Sequence, residues 1–217
     1  EEFAGKSKVG MYGDFMMMVD AEVAKVLKTL DDAKMKQNTL VIFTSDNGPH
    51  FEGGANPTAM QAAAPYKGFK RDLYDGGIHV PMIAHWPSRI SQPRVDHTPW
   101  AFADVLPTIA ELGGVDLLSV PRLNSNGVSI EPLLRNNPEE IPERLLYWKF
   151  GKQAGDPNSG VVGTIRQAAR QGPWKAVQYG TGSPVELYNR DDDPNESNEL
   201  SAKHPALHQE FVELFSR

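Results

Sequence analysis

The sequence predicts an α/β fold that gives way, in its last third, to a small antiparallel sheet closed by a C-terminal helix. Three observations carry this reading. A helical apolar pattern over about residues 12–35 leads into a short apolar run, 40–43, that stops at polar residues. A second apolar strand and a second helical stripe follow, at 78–86 and 102–112. From residue 144 the pattern changes to short strands separated by turns rich in Gly and Pro.

Taken in order, Phe15, Met18, Val19, Val23, Val26, Leu27 and Leu30 recur at helical spacing and predict one amphipathic helix with Met18 in the core. Asp14 and Asp20 do not share a face of it and are expected to be solvated. Leu40 to Phe43 then reads as a central strand covered on both faces. Its tip delivers Asp46 and Asn47, and Gly48 is expected to supply a turn at positive φ. In open α/β sheets, ligands sit beyond the carboxyl ends of strands. Asp46 and Asn47 would place a charged and a neutral oxygen there, both hard donors suited to Ca²⁺ or Mg²⁺. His50 and Glu52 follow on a Gly- and Pro-punctuated loop. For His50, a hydrogen-bonded structural imidazole and a site residue are both open readings.

Lys67, Lys70 and Arg71 bring three cations close together in an otherwise acidic chain. They read either as a solvated loop or as an anion clamp for a tetrahedral oxyanion. A strand over 78–86 comes next, then a strand–loop–helix over 95–114 with the helix starting near Asp104 and ending at Gly113-Gly114. Residues 116–142 lack periodicity and read as a surface connection. The expected boundary lies there, with a larger portion over 1–137 and a small α+β subdomain over 138–217. Strands are predicted at 144–150, 164–170, 174–179 and 185–188. The acidic run 191–196 lacks the spacing and Gly of a calcium-binding hand and reads as a polar turn. A final helix follows Pro205.

Composition bounds the function. The formal net charge of −6, without a basic block, argues against a general nucleic-acid binder. The absence of cysteine excludes disulfides, thiolate metal sites and a Cys nucleophile within these residues. No apolar run approaches the length of a membrane span, and no signal-peptide core is present.

Five segments, in this order, resemble the formylglycine-dependent sulfatases of the alkaline-phosphatase-like superfamily. They are Gly10-Met-Tyr-Gly-Asp-Phe with Asp20-Ala-Glu-Val; Asn38-Thr-Leu-Val-Ile-Phe-Thr-Ser-Asp-Asn-Gly; Tyr66-Lys-Gly-Phe-Lys-Arg-Asp-Leu-Tyr-Asp-Gly-Gly-Ile-His-Val-Pro; Asp104-Val-Leu-Pro-Thr-Ile-Ala-Glu-Leu-Gly; and Glu186-Leu-Tyr-Asn-Arg-Asp-Asp-Asp-Pro-Asn-Glu. The resemblance covers nearly the whole chain and implies part of a mostly parallel sheet sandwiched by helices. It matches Asp46 and Asn47 to metal ligands, Lys70 to the sulfate-binding lysine, and His50 to a position that often follows the Asp-Asn-Gly in bacterial members. It implies a sulfuric ester hydrolase acting on a sulfated small molecule or glycan, with Ca²⁺ or alternatively Mg²⁺, in a periplasmic or secreted setting. The family's Cys- or Ser-x-Pro-x-Arg nucleophile motif and its earlier Asp pair do not occur here. His85-Trp-Pro-Ser-Arg has the ending of that motif with His in the nucleophile position, a coincidence. The expectation is therefore a C-terminal portion, inactive alone, with formylglycine on a missing N-terminal portion. An open sheet edge would then pair with that portion or with a second copy. The resemblance leaves as alternatives a catalytically inactive relic that binds anions or a partner, and a phosphoesterase of the same superfamily.

Overall fold

The computed structural model describes residues 2–120, 125–151 and 165–217. In chain order the helices and strands are α1 (Met11–Asp32), β1 (Val41–Thr44), α2 (Asp75–Ile78), β2 (Met82–His85), α3 (Val105–Leu112), α4 (Glu131–Leu134), β3 (Leu146–Phe150), β4 (Arg166–Gln171), β5 (Trp174–Tyr179), β6 (Val185–Asn189) and α5 (Pro205–Phe215). They form two compact units. One contains residues 1–28, 44–82 and 147–217; the other contains 29–43 and 83–146.

The first unit is built on the four-stranded sheet β3-β4-β5-β6, in which β4–β5 and β5–β6 pair antiparallel. The predicted strand at 164–170 is found as β4; Thr164 lies outside the described residues. Successive side chains alternate between faces, and the register decides what each face carries. Ala169 pairs with Ala176 and Ala176 with Leu187. These three, with Val185, pack against Phe211 and Phe215 of α5 to form an apolar core. Ala168 pairs with Val177 on the opposite face, where both pack on Leu73, with Tyr74, Ile78, Trp148 and Tyr179 around them. Lys175 alternates with Ala176 and so shares the face of Val177.

Lys175 is fully buried, as is Glu196, and Asp75 and Arg190 are nearly so. Lys175 Nζ bonds Asp75 Oδ1, and Arg190 holds Asp75 Oδ2 through Nη2 and, at 3.0 Å, Nε. Glu196 Oε2 accepts from the Asp75 backbone N–H at 2.7 Å. Its Oε1 lies 2.7 Å from Lys175 Nζ, an ion contact without good hydrogen-bond direction. Two acids and two bases balance, which is the condition under which buried charge is tolerated. Burial alone would raise the Asp75 carboxyl, but His79, Lys175 and Arg190 outweigh it and hold it well below the usual range. Burial pushes Glu196 up, opposed by Lys175 and reinforced by Asp75.

The second unit has its own buried anchor. Asp104 is fully buried, accepts from the backbone of Ala101 at 2.8 Å and Val128 at 2.9 Å, and pairs with Arg144. Thr108 Oγ1 donates to the Asp104 carbonyl at 2.6 Å and accepts from Ile130 N at 2.9 Å. The predicted helix near Asp104 is thus present, entered through a 3₁₀ turn over Phe102–Asp104.

Several expectations need correction. Phe15, Met18 and Val26 are exposed, and Gly13 is the buried residue of α1. The periodicity reports an amphipathic helix, not a partner lying across its apolar face. β1 pairs with β2 in a two-stranded sheet, and Ile42 and Phe43 are exposed rather than covered. The strand predicted over 78–86 is confined to Met82–His85, because 75–78 turn helically and Pro81 removes a ladder donor. No strand forms near Val95, where Pro93 and Pro99 flank a local turn in which Thr98 N bonds Asp96 Oδ1 at 2.8 Å. Asp14 is not simply solvated: its carboxylate accepts from Gly5 N at 2.7 Å and Ser7 N at 2.6 Å. The acidic run 191–196 is a turn, as expected, but Glu196 belongs to the buried ion cluster.

Replacing Asp75 by Asn leaves Lys175 and Arg190 with one buried acid and should cost about 3–5 kcal/mol at neutral pH. A carboxylate depressed on folding contributes stability above its unfolded value, about 4, and loses it as the pH falls toward the folded one. Urea unfolding of both proteins should therefore show a gap that narrows below about pH 4.

Candidate functional site

The site begins where β1 ends. Ser45 Oγ donates to the Asn47 carbonyl at 2.9 Å, curling the chain so that Asp46 and Asn47 project from the strand tip. Asn47 Nδ2 donates to the Gly48 carbonyl at 2.9 Å, which turns its Oδ1 the other way. Gly48 is not among the positive-φ residues, so the expected left-handed turn is absent. Its requirement is space. A Cβ there would sit 1.9 Å from the Gly76 carbonyl oxygen, and Gly48 N donates to Gly77 O at 2.9 Å. Gly76 and Gly77 are pressed just as closely from beneath: their Cβ atoms would meet Gly68 O at 2.0 Å and Asp72 O at 2.2 Å. Three bare backbones are thus stacked, with no side chain between them.

The same stack carries Lys70. Its backbone N–H donates to the Pro49 carbonyl at 2.9 Å, while Gly76 N bonds Lys67 O at 2.7 Å. The segment over 67–77 is therefore stitched to the strand tip by backbone bonds. The result is a cleft of about 790 Å³ whose lining includes Asp46, Asn47, His50 and Lys70, all four residues expected from the sequence. Asp46 is exposed and the other three are half-buried. Tyr12, Met16, Tyr66 and His79 also line it.

The three-cation clamp resolves into one cation at the cleft. Lys67 Nζ lies 3.7 Å from the centre of the Tyr74 ring, a cation–π contact, and Lys67 is outside the lining. Arg71 also lies outside it and reaches Glu52 at 3.6 Å. Arg71 adopts φ 77°, a strained conformation for a side-chain-bearing residue, and its carbonyl accepts from Arg166 Nη1 at 2.7 Å. His50 Nδ1 accepts from the Glu52 backbone N–H at 2.9 Å, which leaves Nε2 as the proton-bearing nitrogen of the neutral ring. That atom is 3.6 Å from Glu52 Oε1.

His79 escapes the sequence reading. Its ring packs on Tyr66 at 4.4 Å, and its Nδ1 lies 3.5 Å from Asp75 Oδ2. The helical turn of α2 sets this i,i+4 spacing, which a strand over 78–86 would not show. Tyr12 and Met16 lie one helical turn apart on α1, a spacing that could have marked them as one surface.

Chemically, one cleft wall offers a carboxylate, an amide oxygen and an ammonium group. Among the described residues no three His, Cys, Asp or Glu side chains converge as a metal set. Asp46 and Asn47 provide two hard oxygens, which fit part of the shell of a divalent cation that takes about six or more. Gly48→Ala should disrupt this wall, because the methyl meets a carbonyl that cannot move without Gly77. The expected loss is about 3 kcal/mol or more in thermal unfolding, at the upper end for overpacking.

A family model described as "Sulfatase" matches residues 1–115, and one described as "N-sulphoglucosamine sulphohydrolase, C-terminal" matches residues 67–214. Steryl-sulfatase of Mus musculus is 35% identical over 67% of this chain and 23% of its own length. Arylsulfatase A of Homo sapiens is 31% identical over 95% of this chain and 38% of its own. The crystal structure of Ps i-CgsB in complex with k-i-k-neocarrahexaose superposes with a TM-score of 0.74 at 26% identity, covering 94% of this chain and 42% of that one. This chain thus spans well under half the length of each of these relatives, and the fold they share with it is alkaline-phosphatase-like. With both family models covering more than half of the residues, the chain belongs to the sulfatase family.

Proposed function

We propose that these residues form the wall of a sulfuric ester hydrolase that grips the sulfate group of a sulfated carbohydrate or aryl ester, acting within the full-length protein. The observation that carries this reading is the Lys70 N–H to Pro49 carbonyl bond, which sets a lysine beside the Asp46–Asn47 tip in one cleft. The range of esters is supported by the relatives, which include an arylsulfatase and a protein crystallised with an oligosaccharide.

Asp46 and Asn47 are the residues that would hold a divalent cation, Ca²⁺ or alternatively Mg²⁺. When bound, such an ion draws charge from a sulfuryl oxygen. Lys70 Nζ supplies the matching protein donor. As the bond to the leaving alcohol breaks, negative charge on the sulfuryl oxygens would be met by this ammonium group, in a cleft less polar than water. His50 lines the same cleft and, when neutral, would donate from Nε2 to the bound ester. Formylglycine is assigned by family resemblance to an N-terminal portion of the full-length protein, and a periplasmic or secreted location goes with the same resemblance.

In the full-length protein, Lys70→Ala should lower kcat/KM for an aryl sulfate by roughly 10²–10³-fold, the usual effect of deleting one donor to developing charge. Wild-type turnover by that variant would sink the assignment. Asp46→Ala should weaken Ca²⁺ binding in calorimetry, and chelation should remove sulfate release until Ca²⁺ is restored.

A further inference from the structure

The buried ion cluster and the cleft meet in one short element. Asp75, the charge that Lys175 and Arg190 hold from the sheet, is the first residue of α2 and is followed directly by Gly76 and Gly77. Those glycines bear on Gly48 above and on the 67–72 loop below with no side chain to cushion a shift. A displacement of Asp75 therefore has nowhere to be absorbed before it reaches Asn47 on one side and Lys70 on the other. Glu196 adds a second hold, because its Oε2 takes the Asp75 backbone N–H at 2.7 Å. The backbone of α2 is gripped as well as its side chain.

We propose that Lys175, Arg190 and Glu196 are positioning residues for the cleft: they fix Asp75, and through Gly76–Gly77 they set the spacing between the Asp46–Asn47 tip and Lys70. None of the three lines the cleft. Their effect travels by backbone contact, through Gly77 O to Gly48 N, and through Lys67 O to Gly76 N. A cluster that served stability alone would have no reason to grip the residue next to the glycine pair. Here charge balance in the sheet is converted into the position of a turn formed by residues far away in the chain. The activity arm of the test rests on the proposed sulfatase reading; the structural arm does not.

The experiment uses the full-length protein and compares Lys175→Met with the double variant Lys175→Met/Glu196→Gln. The single variant leaves two acids facing one base. The double restores the balance, and the amide oxygen that Glu196→Gln introduces can still accept the Asp75 N–H. Hydrogen exchange should be at least about tenfold faster at the Gly48, Lys70 and Gly76 amides of Lys175→Met, with α5 unchanged and protection returning in the double variant. Because α5 packs on the opposite face of the sheet, an even rise that includes Phe211 and Phe215 would mean general loosening and would overturn the proposal. So would unchanged exchange at Gly48 and Lys70. If Lys175→Met does not fold, Arg190→Met compared with Arg190→Met/Glu196→Gln carries the same comparison, since Arg190 holds the other oxygen of Asp75. Aryl sulfate turnover then separates the two readings. A selective rise in exchange with a fall in kcat that the double variant reverses supports both. The same rise with unchanged kcat leaves the positioning intact and removes the sulfate-gripping role of this wall.

Discussion

The cleft depends on backbones touching where side chains would ordinarily stand. Gly48, Gly76 and Gly77 approach so closely that a single methyl on any of them would overlap a carbonyl oxygen. Such contacts are short, directional and incompressible, unlike the forgiving packing of aliphatic side chains. The strand tip, the 67–72 loop and the first turn of α2 therefore move together or not at all. Preorganisation of this kind suits a site that must meet charge where it develops, because nothing has to rearrange at the moment of reaction.

Electrostatics sort the cations around that stack. Lys67 is drawn onto the face of Tyr74 and Arg71 leans toward Glu52, which leaves Lys70 as the member of the three that lines the cleft with Asp46 and Asn47. Beneath them lies a second, separate set of charges, sealed from water and neutral in sum. The two sets differ in setting: one lines the cleft, the other is buried around Asp75, and His79 touches both.

Much of the architecture is legible from pattern alone. β5 is expected at the residues where it forms, α5 after Pro205, and α3 near Asp104, because period and punctuation agree at each. Asp46, Asn47 and His50 line the cleft because they follow a strand tip directly, and Lys70 joins them through its backbone bond to Pro49. What pattern does not show is contact across long separations. Lys175 lies at an alternate position of a strand otherwise rich in apolar residues on that face, a sign that a buried partner must exist, but its partner is 100 residues away. Glu196 sits in an acidic run that looks solvated until Lys175 is placed beside it. For β1 and α1, hydrophobicity is a sound reading of the chain and an unsound reading of burial, since burial also needs a partner in place.

The alternation along β5 has a consequence for how the chain finds its register. One side of Trp174–Tyr179 meets the hydrocarbon of α5, the other meets ions and tyrosines. Slipping β5 by a single position would bring Ala176 to the place of Lys175 and carry Lys175 to the place of Trp174, driving an ammonium group toward the α5 core and leaving Asp75 and Glu196 facing a methyl. The mispaired sheet would suffer twice. A charge that looks costly in the finished fold thus acts as a proofreader during assembly, rejecting the near-miss pairing that four short strands would otherwise tolerate.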